Sequence, residues 1–314
     1  MKPSNDIPAG SHGMPCPLCG GDRVKVRYVI SNSRIVFCPD CTLMRLAEQP
    51  TQDELLAVYN DEYFTNKQFF AGGLYGYVDY ISERINKQKE YADLFASVNK
   101  VLREQAGPGG ETALSGQDDG KRTWLDVGCG LGYLLDAAVD HGFCSEGIEF
   151  NQWAVGECRK RYAFPVHCGS VEDVVPQLGQ KKYDVVSLLD VIEHVPDPFL
   201  TLQIVRGLLK PGGVLVIVTQ DSLSWTSRLI GSRLEDFRRV REHLFFFSRD
   251  SLERSLSKAG MTTVVERYCG HTFEVNLVLR RVLYQRHRKL YDFMAQAIDF
   301  VGLGGLKVPL NPQV

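Results

Sequence analysis

The sequence has no apolar run near the roughly 20 residues that a membrane helix needs. Its longest runs, such as Val214 to Val218, have the length of buried strands. Met1 to Met14 is polar with Pro and Gly, and holds no apolar centre of a secretory signal. The expected location is the cytoplasm. Charge of one sign is also lacking: 36 Lys+Arg against 38 Asp+Glu leave −2 over 314 residues. That balance gives no support to a polyanion binder. Nine cysteines make an odd count, which does not suit a disulfide framework. Hydrophobic residues at 44% and charged residues at 24% exclude wholesale disorder, collagen and coiled coil. A chain this long buries a core without disulfides.

What is present begins with the cysteines. Cys16 and Cys19 stand in C-P-L-C-G, and after the eighteen residues Gly20 to Phe37, Cys38 and Cys41 stand in C-P-D-C. Each C-x-x-C turn aims two sulfurs at one point, and two such turns at this spacing fit a four-thiolate zinc site. Gly20 and Gly21 allow tight folding behind the first pair. Val24 to Ile30 and Arg34 to Phe37 read as strands joined by Ser31-Asn32-Ser33, a zinc-ribbon hairpin. A redox C-x-x-C is the weaker alternative, since those come singly. Four thiolates leave no open position, so bound zinc is expected to be structural. Cys129, Cys144, Cys158, Cys168 and Cys269 have no paired spacing and read as small buried hydrophobes.

Residues 1–48 are thus read as the ribbon and 49–103 as a helical lead. In the lead, Asp53 to Tyr59 is a short helix. Tyr77 to Leu102 is a long one, with an apolar stripe through Tyr80, Ile81, Ile85, Tyr91, Leu94, Phe95, Val98 and Leu102. Tyr59, Tyr63, Phe64, Phe69, Phe70, Tyr75 and Tyr77 make an aromatic patch between them. Residues 104–122 are rich in Gly, Ser and acids and read as a flexible linker. From 123 to 268 strands and helices alternate. The strands are Thr123–Val127, Cys144–Glu149, Val166–Cys168, Tyr183–Leu189, Val214–Thr219 and Thr262–Tyr268. The helices are Tyr133–His141, Trp153–Arg161, Phe199–Leu209 and Arg249–Ala259, with Lys210-Pro211-Gly212-Gly213 as a turn. This pattern specifies a parallel sheet with helices on both faces.

Ligands of such sheets sit at the carboxyl ends of the strands. There the first strand runs into Asp126-Val-Gly128-Cys129-Gly130-Leu-Gly132, and the second ends in Glu149. Glycines let backbone approach a ligand, and an acid about twenty residues on suits ribose hydroxyls. The dinucleotide fingerprint G-x-G-x-x-G is not met, because the third glycine falls one position early at Gly132.

These motifs resemble the class I S-adenosylmethionine-dependent methyltransferases. L-D-V-G-C-G-L-G (125–132), G-I-E-F (147–150), G-S-V-E-D (169–173), Y-D-V-V-S-L-L-D-V-I-E-H-V (183–195) and L-K-P-G-G-V-L-V-I (209–217) follow that family's order. The fold implied is α/β, a doubly wound, mostly parallel Rossmann-like methyltransferase sheet, preceded by the zinc ribbon and helical lead. The whole layout is similar to bacterial small-molecule and deoxysugar methyltransferases, in which a late Glu-His pair serves acid–base roles. Arg241-Glu242-His243-Leu244 resembles that segment. The longer sugar enzymes' C-terminal domain is missing, 104–122 is an insertion, and Thr272 to Leu279 is the candidate for the last antiparallel strand.

The resemblance implies S-adenosylmethionine as cofactor. Gly128, Cys129, Gly130 and Gly132 would hold its methionine end, with Asp126 supporting the loop. Glu149 and Phe150 would meet the ribose side, Ser170 and Val171 the adenine, and Asp190 the methionine amino group or methyl. His243 is the preferred general base, with Glu242 orienting it or acting beside it; packing under Phe245 to Phe247 is the bland alternative. His194 faces substrate or bonds a loop backbone, with neither favoured. Trp225 to Arg239 reads as a lid or substrate segment, and 269–314 as a tail whose basic helix, around Arg280 to Phe300, packs on the domain, meets a membrane surface or holds a phosphorylated substrate. The expected acceptor is a small molecule, a nucleotide sugar or related intermediate, methylated on oxygen or carbon. An RNA methyltransferase gripping nucleic acid with the ribbon, a non-catalytic binding protein and a nicotinamide dehydrogenase are the rivals.

Overall fold

The structure, a computed structural model, describes residues 15–59, 63–64, 84–106, 120–274 and 307–313. The ribbon comprises β1 (Lys25–Ile30), β2 (Ser33–Phe37) and β3 (Met44–Leu46). The lead follows as the short α1 (Gln52–Val58) and the long α2 (Arg84–Ala106). The core then runs β4 (Thr123–Val127), α3 (Tyr133–Asp140), β5 (Cys144–Glu149), α4 (Gln152–Arg161), β6 (Val166–Cys168), α5 (Val171–Leu178), β7 (Tyr183–Leu189), α6 (Pro198–Leu208) and β8 (Leu209–Val218). After it come α7 (Trp225–Ile230), a 3-10 turn Gly231–Arg233, α8 (Glu235–Arg238), β9 (Phe245–Phe246), α9 (Arg249–Lys258), β10 (Cys269–Glu274) and β11 (Lys307–Gln313).

The five core strands form one parallel sheet in the order β6-β5-β4-β7-β8. Alternation along the central strands splits the core in two. Leu125, Val186 and Leu188 face one side, with Val171, Val174, Leu202 and Val205 of α5 and α6. Trp124 and Val185 face the other, with Phe95 of α2, Leu135 of α3 and Cys158 of α4. Helices therefore cover both faces, as β7 requires: its apolar residues point to both sides, and its two polar ones, Asp184 and Ser187, are buried as well. Side-chain caps start several helices: Thr51 and Glu54 form a capping box on α1, Asn151 caps α4, Ser170 caps α5 and Ser248 caps α9. Each such cap contributes about 1 kcal/mol.

The four-stranded ribbon sheet has the order β1-β2-β3-β9. Its last strand comes from beyond the core, with Met44 opposite Phe246 and Arg45 opposite Phe245. The Leu46 amide donates to the Leu244 carbonyl, and the Thr42 and Ser248 hydroxyls meet at 2.6 Å. The ribbon is thus hydrogen-bonded into the segment that carries Glu242 and His243.

Several expectations are corrected. Helix α2 continues to Ala106, three residues into the span read as linker; 107–119 lie outside the described residues. Thr262 to Tyr268 forms no strand: it has no pairing partner among the described residues, and Val264 and Val265 stand exposed. High β-propensity does not make a strand without a ladder to join. β10 instead pairs antiparallel with β11, in a two-stranded sheet separate from the core. Lys210 to Gly213 belongs to β8, with a register shift opposite Tyr183 and Val185. Cys129 and Cys158 are buried as expected, but Cys168 is exposed and Cys144 half-buried. Residues 65–83, with Phe69, Phe70, Tyr75, Tyr77, Tyr80 and Ile81, and the expected helix at 280–300, lie outside the described residues.

Candidate cofactor and acceptor site

The sheet order reverses between β4 and β7, and the loops leaving these two strands form one wall of a large cavity. Asp126, Gly128, Cys129, Gly130, Glu149, Phe150, Ser170, Val171 and Asp190 all line it. Nine of the ten residues expected to hold the cofactor are therefore brought together. Gly132, the tenth, turns the chain into α3 at φ 77°. Gly128 sits at φ 75°, and a Cβ there would lie 2.4 Å from Val191 Cγ2. Only glycine permits the two loops to approach this closely. Asp190 itself takes a left-handed φ of 53°, a conformation that Asp tolerates better than most residues.

Glu149 is 7% exposed. Its Oε2 accepts the Gly130 amide and its Oε1 the Asn151 amide, each at 2.7 Å. Burial pushes its pKa up, and those amides pull the other way. Each oxygen keeps further acceptor capacity. Asp126 is buried beneath the loop, where its Oδ1 accepts the Ser187 hydroxyl at 2.5 Å. The Trp124 indole donates to that same Ser187 oxygen, so the support reaches into the core. Ser170 accepts from Asp173 N as the cap of α5.

The acid–base candidates stand in the β7 loop beyond Asp190 and behind it. His194 lines the large cavity. Its Nδ1 lies 2.9 Å from the Glu242 carbonyl and 2.8 Å from the Tyr59 hydroxyl. A carbonyl only accepts, so Nδ1 carries the proton and Nε2 keeps the lone pair. His243 packs edge-on behind His194, with ring centroids 4.7 Å apart, and faces a second, small pocket. Glu242 is fully buried, held by a two-point contact from Arg239 and by the Tyr63 hydroxyl at 2.8 Å. Burial lowers the pKa of both histidines, further for His243, where His194 and Arg239 add to it. Both are free bases at neutral pH. Neither His243 nor Glu242 lines the cofactor cavity; they stand one layer behind it.

Sequence reasoning missed Tyr59, Tyr63, Arg239 and Asn151. Tyr59 and Tyr63 were visible only as members of an aromatic patch. Arg239 carried one signal, its i,i+3 spacing from Glu242. Asn151 caps α4 and also donates from Nδ2 to the Tyr59 carbonyl, tying the lead to the cofactor side.

Cys16, Cys19, Cys38 and Cys41 come together, their sulfurs all within 4.8 Å of one another. Cys16 and Cys41 sulfurs are 3.4 Å apart, and those of Cys19 and Cys38 3.5 Å. Sulfurs about 2.3 Å from a tetrahedral zinc stand about 3.8 Å apart, so the cluster fits a zinc ion. The two turns match: Gly20 at φ 76° follows the first pair, and Thr42 at φ 62° the second.

A family model described as a methyltransferase domain matches residues 92–266, more than half of the chain. The fold and the glycine-loop site define a class I, Rossmann-like methyltransferase domain. The chain belongs to the methyltransferase-domain family, whose class I members use S-adenosylmethionine. Among curated proteins it is similar to the ubiquinone biosynthesis O-methyltransferase of Haemophilus ducreyi, 37% identical over 104 residues, covering 30% of this chain and 44% of the relative. The enzyme of that name from Histophilus somni is 35% identical over 118 residues, covering 34% and 50%. The chain spans about half the length of the curated relatives it matches. Among solved structures, magnesium protoporphyrin IX methyltransferase from Synechocystis with bound S-adenosylhomocysteine is 17% identical. It aligns over 70% of this chain and 93% of its own, with a TM-score of 0.45. No helix among the described residues is long and apolar enough to cross a membrane.

Proposed function

We propose that the chain transfers a methyl group from S-adenosylmethionine to oxygen or carbon of a small-molecule acceptor. A nucleotide sugar or a related biosynthetic intermediate is the favoured class. The observation that carries this reading is the convergence of the glycine loop, Glu149, Asp190 and His194 on one cavity. The O-methyltransferase names of the curated relatives support oxygen as an acceptor atom. The deoxysugar-type layout of ribbon, lead and Glu-His segment supports the sugar class.

S-adenosylmethionine supplies an activated methyl on a sulfonium. The protein's part is alignment, exclusion of water and handling of the acceptor's proton. The Gly128 to Gly130 backbone and Asp190 hold the methionine portion, Glu149 the ribose, and Ser170 and Val171 border the adenine. The His194–His243 pair forms the base: His194 presents Nε2 to the cavity, and His243 supports it from behind. Glu242, clamped by Arg239 and Tyr63, fixes His194 through its carbonyl. The four thiolates hold a structural zinc that frames this wall from the ribbon side.

Calorimetric titration with S-adenosylmethionine and, separately, NADH tests the reading, with zinc measured on the same sample. Binding of the first alone, with about one zinc per chain, is expected. No binding of S-adenosylmethionine would remove the assignment. His243→Ala is expected to abolish turnover while leaving cofactor affinity nearly intact; unchanged turnover would exclude His243 from the base.

A further inference from the structure

The wall behind the acceptor side contains a titratable group that the reaction above does not use. Glu193 precedes His194 in the loop after β7. Its backbone carbonyl accepts from the Leu244 and Phe245 amides at 2.8 and 3.1 Å, so its side chain rides on a braced loop. Glu193 and His243 are each 3% exposed. A carboxyl oxygen of Glu193 and a ring nitrogen of each histidine lie within 4.8 Å of one another. Glu193 Oε2 is buried without a hydrogen-bond partner among the described residues, and the Thr219 hydroxyl beside the carboxyl works against its raised pKa. Glu193, Thr219 and His243 border a pocket of about 10 Å³, roughly the space of one water. A buried carboxyl oxygen without a partner costs about 1–3 kcal/mol or more, and such an atom asks for a role.

The neighbouring imidazoles supply one. His194 spends its Nδ1–H on the Glu242 carbonyl, and a backbone carbonyl of Asp236 bonds the His243 ring. Each ring therefore has one nitrogen committed and one lone pair remaining. Two buried imidazoles side by side cannot hold an added proton for long, since each disfavours charge on the other. We infer that Glu193 is a positioning residue of the acid–base site that takes over the proton removed from the acceptor by the imidazole pair.

This rests on the methyl-transfer reading and deepens it. The acceptor's O–H or C–H bond breaks as its oxygen or carbon bonds the methyl. The methyl–sulfur bond breaks, and the sulfur leaves as a neutral thioether with the electron pair. The proton goes to His194 Nε2. It then moves to the Glu193 carboxylate, through His243 or through water in the small pocket, and both rings return to neutral. The carboxyl releases the proton to solvent after product leaves. Burial, with Asp190 and Asp236 nearby, holds the Glu193 pKa up to about 8, so the carboxylate that can take the proton is the minor form at neutral pH and turnover should rise as pH approaches about 8. Glu242 with Arg239 and Tyr63, Tyr59 on His194, Asp221 at the small pocket and the two imidazoles are further charged and titratable groups facing this region.

The test uses the full chain with S-adenosylmethionine bound and needs no acceptor. Infrared spectra with carboxyl isotope labelling are followed with nitrogen-15 imidazole resonances from about pH 6 to about pH 10. A buried carboxylic-acid band that vanishes near pH 8, with His194 and His243 nitrogens shifting in the same step, is expected. Glu193→Gln is expected to lose the band and the coupled shift while binding cofactor normally. With any acceptor that turns over, the same variant should lower kcat about 100-fold with KM little changed. Wild-type protein without the band, or imidazole nitrogens that ignore the step, would overturn the inference. So would a divalent ion held beyond the thiolate site and lost in Glu193→Gln, which would make the cluster a cation site. Failure of the methyl-transfer reading shows separately, as absent cofactor binding in wild type.

Discussion

At the scale of single residues, two positions govern the cofactor cavity. Glu149 satisfies two buried amides that hold the glycine loop in place. Glu149→Ala strands both, at about 1–3 kcal/mol each, and removes the ribose acceptor. Calorimetry should show cofactor affinity weakened at least about 10-fold, about 1.4 kcal/mol. Glu149→Gln keeps an accepting oxygen and should lose less. Gly128 is constrained twice, by its φ of 75° and by Val191. Gly128→Ala should destabilise the fold by about 1–3 kcal/mol in denaturant titration. Adding Val191→Ala should recover part of that, because it relieves the contact but not the dihedral. Full recovery would show that the dihedral costs nothing.

At the scale of elements, the ribbon's strand partner changes what a metal at the four thiolates would do. β3 pairs with β9, and β9 begins two residues after His243. A metal that fixes the ribbon therefore braces the acid–base wall as well. Removing zinc with a chelator, or by Cys38→Ser, should lower the melting temperature and speed hydrogen exchange at the Phe245 and Phe246 amides. Exchange there that is indifferent to zinc would make the ribbon a mere attachment. Helix α2 plays the matching role on the other face: Phe95 is 1% exposed and packs on Trp124 and His141.

For the whole molecule, stability should depend on pH through the same buried wall. Glu193 has its folded pKa raised to about 8. The folded chain keeps a proton that the unfolded chain has already released, so stability falls as pH rises through about 8. Glu193→Gln should flatten that limb. The two histidines act with the opposite sign: their folded pKa values are lowered. Below about 6.5 the unfolded chain takes up protons that the folded chain refuses, and stability falls with pH. His243→Asn should flatten this acid limb in melting curves. At lower pH Glu146 joins. Burial raises its pKa, but bonds from Tyr183, His167 and Lys181 outweigh it and the net shift is downward. Its stabilisation is present above the unfolded carboxylate pKa and is lost as pH falls through the lowered folded value.

The sequence by itself determined whatever rests on short-range pattern. The parallel strands were legible because β7 carries apolar residues toward both faces, and the glycine loop because glycines stand where backbone meets a ligand. The four thiolates were legible because C-x-x-C is a local turn. Only the tertiary structure decided which distant segments meet. It joined β3 to β9, set Tyr59 and Tyr63 against His194 and Glu242, placed His243 behind His194 and left Glu193 Oε2 without a partner. It also left Thr262 to Tyr268 unpaired, since a strand's existence depends on a neighbour that its own residues do not specify. Local propensity acts over a turn or a strand, whereas burial and pairing are set by chain closure across 100 residues or more, as the |i−j| of 179 between Tyr63 and Glu242 illustrates.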